Sequence, residues 1–219
     1  MTLTDWIRGV FVASTLVRAA YTLYTVLREA LSERNKNDES TISRVLFFPD
    51  KELLRQTHER TLDVRRSRSD AQPPRCRQQR GVTALEVILR HIRDASQSLD
   101  VCVFTITCYE LARAVVDAHC RGVIVRVITD SEHVLSAGSQ VLLFRREGIQ
   151  VREDDSSFHM HHKFVVVDKK TLINGSFNWT RNAVTGNREN VMISEGGNVT
   201  HRFVEEFERL WREFNPETR

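Results

Sequence analysis

From Val82 onward the apolar and polar positions follow two periods, and each period marks an element. Leu85, Ile88, Leu89 and Ile92 recur at helical spacing behind Thr83, and Glu86 completes a capping box with Thr83. The run Leu99 to Thr107 (LDVCVFTIT) is β-rich and apolar, which predicts a buried strand. Glu110 to Arg121 predicts a helix closed by Gly122, and Val123 to Thr129 a strand. Gln140 to Glu147 predicts a helix stopped by Gly148, with a strand at Ile149 to Arg152. Further strands are predicted at Lys163 to Asp168, Thr171 to Asn174 and Asn190 to Ser194. In the last predicted helix Val199, Phe203, Val204, Phe207, Leu210, Trp211 and Phe214 share one face, and Asn215-Pro216 stops it. Strands alternating with helices predict an α/β domain with a mixed, mostly parallel sheet and helices on both faces.

The first 30 residues follow neither period. Trp6 to Leu27 is apolar or Ser/Thr, broken only by Arg8 and Arg18, and its longest uncharged run is nine residues. A spanning helix needs roughly 20 predominantly apolar residues. Trp6, Tyr21 and Tyr24 suit a membrane interface, and off-centre arginines can snorkel. Residues 1–30 are therefore expected to be an N-terminal membrane anchor. An interfacial helix, a transit peptide and a solvated amphipathic helix are the other readings. Residues 31–43, including the polar Ser32 to Ser40, read as a linker. The domain is expected to run over 44–216, opening on the apolar Leu46-Phe47-Phe48-Pro49, with a tail at 217–219.

Charge changes this picture locally. Lys plus Arg is 32 and Asp plus Glu is 29, so the net charge of +3 is too mild to argue for a nucleic-acid partner. Arg60 to Arg80, however, holds seven arginines against Asp63 and Asp70. Arg65, Arg66, Arg68, Arg75 and Arg77 would form a basic arm on the phosphates of RNA or anionic lipid, or else a solvated loop. The four cysteines show no paired spacing, which excludes a disulfide scaffold.

The chemistry is carried by one motif. His161-His162-Lys163, four residues, Asp168, six residues, then Gly175-Ser176-Phe177-Asn178 reads H-x-K-x4-D-x6-G-S-x-N. On a strand His161 and Lys163 project from one face, so an imidazole and an ammonium meet at one point. Ser176 and Asn178, again two apart, add neutral hydrogen-bonding groups. Such a set suits a phosphodiester, whose transition state spreads negative charge over oxygens. Asp168 falls on the opposite face of an ideal strand, where it would brace the strand end. A competing reading is a metal site built from His159, His161 and His162 with Asp154 and Asp155 nearby, but it leaves Lys163, Ser176 and Asn178 without a role. His159 and His162 read otherwise as rim residues.

The motif resembles the signature of the phospholipase D superfamily. The likeness extends to Leu46-Phe47-Phe48-Pro49, Met160 to Phe164, Asn178-Trp179-Thr180, Arg188-Glu189-Asn190-Val191, Glu205 to Arg209 and Phe214-Asn215-Pro216. These resemble the mitochondrial phospholipase-D-like family, also called Zucchini. The resemblance implies a phospholipase-D-like domain with catalysis through a phosphohistidine and no catalytic metal or other cofactor. It implies His161 as nucleophile, with Lys163, Ser176 and Asn178 binding the phosphate. Asp168 would complete the catalytic motif, and Glu189 would match the carboxylate that orients the nucleophilic histidine. Each chain carries one half-site, so the resemblance implies a homodimer. Relatives carry a Cys/His zinc module before the first helix. Here only Cys76, His58 and His91 are available, so no such module is expected.

The leading expectation is a homodimeric endonuclease of single-stranded RNA, with some action on single-stranded DNA, at the mitochondrial outer membrane. It would face the cytosol and serve piRNA biogenesis. The rival enzyme reading is a cardiolipin hydrolase producing phosphatidate. A third is a non-catalytic RNA- or lipid-binding scaffold, which would have no reason to keep His161 and Lys163 together.

Overall fold

The computed structural model describes residues 21–24, 26, 28, 41–50, 52, 81–154 and 156–218. The chain divides into two units, Met1–Glu39 and Ser40–Arg219. In the first, residues 21–24 are helical and exposed. Among the described residues no helix is long and apolar enough to cross a membrane. Most of the expected anchor and linker, and all of the basic arm with Arg65, Arg66, Arg68, Arg75 and Arg77, lie outside the described residues. So do Cys76 and His58.

In the second unit the described residues form a sheet of seven strands: β1 Thr41–Phe48, β2 Ser98–Val103, β3 Ile124–Asp130, β4 Gln150–Asp154, β5 Lys163–Val167, β6 Thr171–Gly175 and β7 Glu189–Glu195. Their order is β1-β7-β6-β5-β2-β3-β4. The helices are α1 Ala84–Arg93, α2 Tyr109–Cys120, the single turn α3 Ser131–Val134, α4 Val141–Arg146, α5 Arg181–Thr185 and α6 Gly197–Glu213. Two elements run across the expected boundaries. The expected linker ends in β1, a strand the sequence reading took only as an apolar patch, and the expected tail begins within a 3-10 turn, Pro216–Thr218.

The sheet is mixed, as expected, but the expectation of a mostly parallel sheet is corrected. Only β2–β3 and β3–β4 pair in parallel; β1–β7, β7–β6, β6–β5 and β5–β2 are antiparallel. The reason is connection length. A parallel return needs a crossover of about a dozen residues, which α2 and then α3 with α4 provide. Between β5 and β6 only Asp168, Lys169 and Lys170 intervene. Asp168 (φ 52°) and Lys169 (φ 54°) take the left-handed conformation of a tight hairpin. Lys170 N–H closes it on Val167 C=O at 3.0 Å.

Helices cover both faces. Along β2, Leu99, Val101 and Val103 pack toward α1 and α2, against residues such as Ile88, Ile92, Leu111 and Val115. Cys102 points the other way, joining Phe164, Val166 and Leu172 under Phe207, Leu210 and Trp211 of α6. This period-two division fixes which face each residue of β5 presents, so it also orients the motif. On the α6 face sits a largely buried ion cluster. Asp100 and Arg126 are register partners across β2–β3, and Arg126 Nε donates to Asp100 Oδ1 at 2.8 Å. Arg126 Nη2 also donates to Glu208 Oε1 at 2.7 Å, and the guanidinium lies 4.8 Å from the Phe207 ring centroid.

Candidate active site

The parallel strands end side by side at Val103, Asp130 and Asp154. Ligands of open α/β sheets bind at such carboxyl ends. The segment leading from β4 into β5 crosses this end and carries His159, Met160, His161 and His162. Two buried carboxylates tether it. Asp154 accepts from Ser156 N–H at 2.8 Å, and Asp130 Oδ2 accepts from Met160 N–H at 3.0 Å. Met160 is buried, with Cys102 Sγ 3.4 Å from its Sδ. The segment is thus pinned from below, and His161 is left exposed.

His161 and Lys163 come together, although His161 lies two residues before β5 and not on a strand. Both lie against Phe104, the residue following β2: the His161 ring centroid is 4.6 Å from that of Phe104, and Lys163 Nζ is 4.8 Å from it. Lys163 Nζ donates to His161 C=O at 2.7 Å. Partial burial and the nearby Lys163 and His159 lower the His161 pKa below the ordinary imidazole value, against an opposing pull from Asp130. Burial also lowers the Lys163 pKa, while Glu189 raises it.

Gly175, Phe177 and Trp179 share a small cavity with Lys163. Gly175 must be glycine, because a Cβ there would lie 2.0 Å from Asn190 C=O. Trp179 N–H donates to Thr105 C=O at 3.0 Å, and Trp179 C=O accepts from Thr107 N–H at 2.7 Å. These bonds fix Asn178 beside the end of β2. Its Oδ1 is buried without a hydrogen-bond partner. Asn174 and Asn178 fall within glycosylation sequons, yet both carry buried amide oxygens. The Ser176 hydroxyl donates to Glu189 and accepts from Asn190 N–H at 3.2 Å.

The structure gives Asp168 the bracing contacts that its place on the strand predicts, and gives Glu189 partners other than the His161 ring among the described residues. Asp168 lies at the far end of β5 from His161. It accepts from Ser96, Gln97 and Ser98 N–H and from Ser96 Oγ, at 2.7 to 3.2 Å. It therefore braces the start of β2 and stands away from the reacting groups. Burial would raise its pKa, but these hydrogen bonds outweigh burial and lower it. Glu189 bonds to Ser176 and, at 2.9 Å, to Asn187 Nδ2, and among the described residues it makes no hydrogen bond to the His161 ring. Its influence falls on Lys163 instead.

The metal reading gains only a different ligand set. Asp130, Glu132 and His159 each bring one ligating atom within 4.8 Å of the others, without His161 or His162. Asp154 is committed to the loop backbone, and Asp155 lies outside the described residues. His162 instead pairs with Glu206 of α6, Nε2 to Oε1 at 3.7 Å. Sequence reasoning passed over Phe104 and His133, whose rings lie 4.3 Å apart.

The chain matches the family described as cardiolipin synthase, PLD-like domain, over residues 88–211. It is 41% identical over 214 residues to the mitochondrial cardiolipin hydrolase of Canis lupus familiaris, covering 96% of this chain and 83% of that protein. The Homo sapiens mitochondrial cardiolipin hydrolase is 50% identical over 136 residues, which span 62% of this chain and 54% of the human one. Among solved structures, the phospholipase D family member Nuc from Salmonella typhimurium shares the fold. Its TM-score is 0.61 at 23% identity, over 81% of this chain and 97% of that one. The chain therefore belongs to the phospholipase D superfamily of phosphodiester hydrolases, in the mitochondrial cardiolipin hydrolase, or Zucchini-type, family.

Proposed function

We propose that the chain is a homodimeric phosphodiesterase that cleaves single-stranded RNA through a phosphohistidine at His161. The observation that carries this reading is the meeting of an exposed imidazole of lowered pKa with an ammonium against one ring, at the carboxyl ends of β2 and β3. A neutral imidazole is a nucleophile, and a fixed ammonium stabilises charge developing on phosphoryl oxygens. His161 attacks phosphorus, and the 3′ oxygen leaves with a proton from the second copy's His161. The downstream fragment is then held by a P–N bond. Water attacks phosphorus while the second imidazole takes its proton, the P–N bond breaks, and a 5′-phosphate is released beside a 3′-hydroxyl. Lys163 and Asn178 hold the non-bridging oxygens. Ser176 and Glu189 brace the Gly175–Asn178 turn from behind.

The polar character of the surroundings favours a polynucleotide. A cleft of about 370 Å³ at His161 has Ser156, His159, His162, Arg209 and Glu213 on its polar side, with Phe158, Met160, Leu210 and Phe214 as its apolar wall. The second reading, cardiolipin hydrolysis to phosphatidate by the same steps, is favoured by the names of the relatives. Those names also support a mitochondrial location, for which residues 1–30 would be the anchor on the outer membrane and piRNA biogenesis the setting. The purified protein should be offered 5′-labelled single-stranded RNA and cardiolipin vesicles in parallel, with His161→Ala as control. RNA cleavage lost in the variant supports the proposal. Phosphatidate release with intact RNA would transfer it to the lipid.

A further inference from the structure

We propose that Phe104 is a positioning residue for this reaction, its ring the common floor that holds the His161 imidazole and the Lys163 ammonium together without neutralising either. The inference rests on His161 and Lys163 being the reacting pair. Phe104 is the first residue beyond β2, and its backbone is fixed from two sides. Its N–H donates to His162 C=O at 2.9 Å, and its C=O accepts from Thr129 Oγ1 at 3.1 Å. The ring therefore keeps its place relative to both the histidine segment and the end of β3. It is half-buried and belongs to neither core cluster, so filling the core is not its work.

Its neighbours are instead basic or titratable side chains. His133 meets it edge-on at 4.3 Å and His159 at 6.0 Å, beside His161 at 4.6 Å and Lys163 Nζ at 4.8 Å. An aromatic face attracts a cation through its quadrupole. That attraction biases a flexible lysine stem yet leaves the whole charge for a phosphate. A carboxylate in the same place would hold Lys163 more firmly, cancel its charge and raise the proton affinity of His161. Glu189, the carboxylate that acts on Lys163, is tied to Ser176 and Asn187. The apolar ring also excludes water from one side of His161. The other groups facing His161 are Lys163 from β5, His159 and His162 from its own segment, and Asp130 from the end of β3.

Two variants of the full chain separate positioning from packing. Phe104→Leu keeps an apolar side chain and removes the π face, while Phe104→Tyr keeps the face. With an RNA oligonucleotide, Phe104→Leu should lower kcat about 10- to 100-fold with KM within about threefold. Its acid limb should move up toward the ordinary imidazole range. Phe104→Tyr should stay within about threefold of the parent in both constants. Unchanged kcat and pH profile in Phe104→Leu would overturn the inference. So would parallel loss of activity and melting temperature in both variants. NMR titration of the His161 ring reads the same question without turnover. If the parent protein cleaves neither RNA nor cardiolipin, the proposed function fails, and an upward shift of that titration in Phe104→Leu still supports the role of Phe104. An unmoved titration overturns it.

Discussion

His161 and Lys163 depend on each other before any substrate arrives. Burial and the lysine charge lower the imidazole pKa and so favour the neutral form of His161. The acid limb of kcat/KM should accordingly fall below about 6.5, the ordinary histidine value. In the proposed dimer two imidazoles act together, so the curve should be bell-shaped, with apparent pKa values belonging to the pair. Lys163→Ala removes the proposed charge stabiliser and should raise the barrier by about 2.7–4 kcal/mol, measured as kcat. It should also move the acid limb up, since a positive neighbour is gone. Asp168 has its sign in stability. Its folded pKa is lowered, so its contribution is present above the unfolded carboxylate pKa of about 3.9 and lost as pH falls through the folded value. Asp168→Asn should cost about 1–3 kcal/mol in urea melts near neutrality, with the difference closing at low pH. The motif spacing put His161 and Lys163 forward from the sequence alone. Phe104 was not, because its ring neighbours come from positions 133, 159, 161 and 163, and no local pattern signals a meeting of distant loops.

At the scale of elements, the turn after β6 depends on a backbone contact that no side chain could survive. Gly175→Ala should cost about 1–3 kcal/mol or more, because its Cβ meets the Asn190 backbone and the β6–β7 approach must open. Denaturant midpoints check this, and activity should fall further than stability alone explains, since Asn178 rides on the same turn. Helix positions were readable because one-sided apolar spacing is itself the signal: α1 and α6 lie where Leu85 to Ile92 and Val199 to Phe214 placed them. Strand direction was not readable. With helices on both faces, a buried strand is a continuous apolar run whichever way it points, and Val165-Val166-Val167 looks the same in either. The Asp168–Lys170 connection held the answer in its length, but no glycine or asparagine marked it as a hairpin. Strand β1 was missed for the opposite reason. Among the described residues it is an edge strand paired only to β7, with Val45 and Phe47 exposed, so it lacks the apolar run of a central strand.

For the whole molecule, one chain supplies one imidazole, and the proposed chemistry needs two. Sedimentation should find a dimer. Mixing parent chains with an equal amount of His161→Ala chains should then leave about a quarter of the activity per site, since only parent pairs carry both imidazoles. Half the activity would mean that each copy works alone. The most direct measurement is to trap the intermediate. The protein is mixed with a short single-stranded RNA; one portion is quenched in alkali where a P–N bond survives, digested with nuclease and protease, and its peptides are weighed, and a second is quenched in denaturant near neutrality to read the RNA ends. The account predicts a nucleotide 5′-phosphate on the peptide containing His161, absent from His161→Ala and insensitive to chelator. Turnover with an unmodified His161 peptide and 2′,3′-cyclic phosphate ends, or turnover that stops with chelator and returns with a divalent metal, would contradict it.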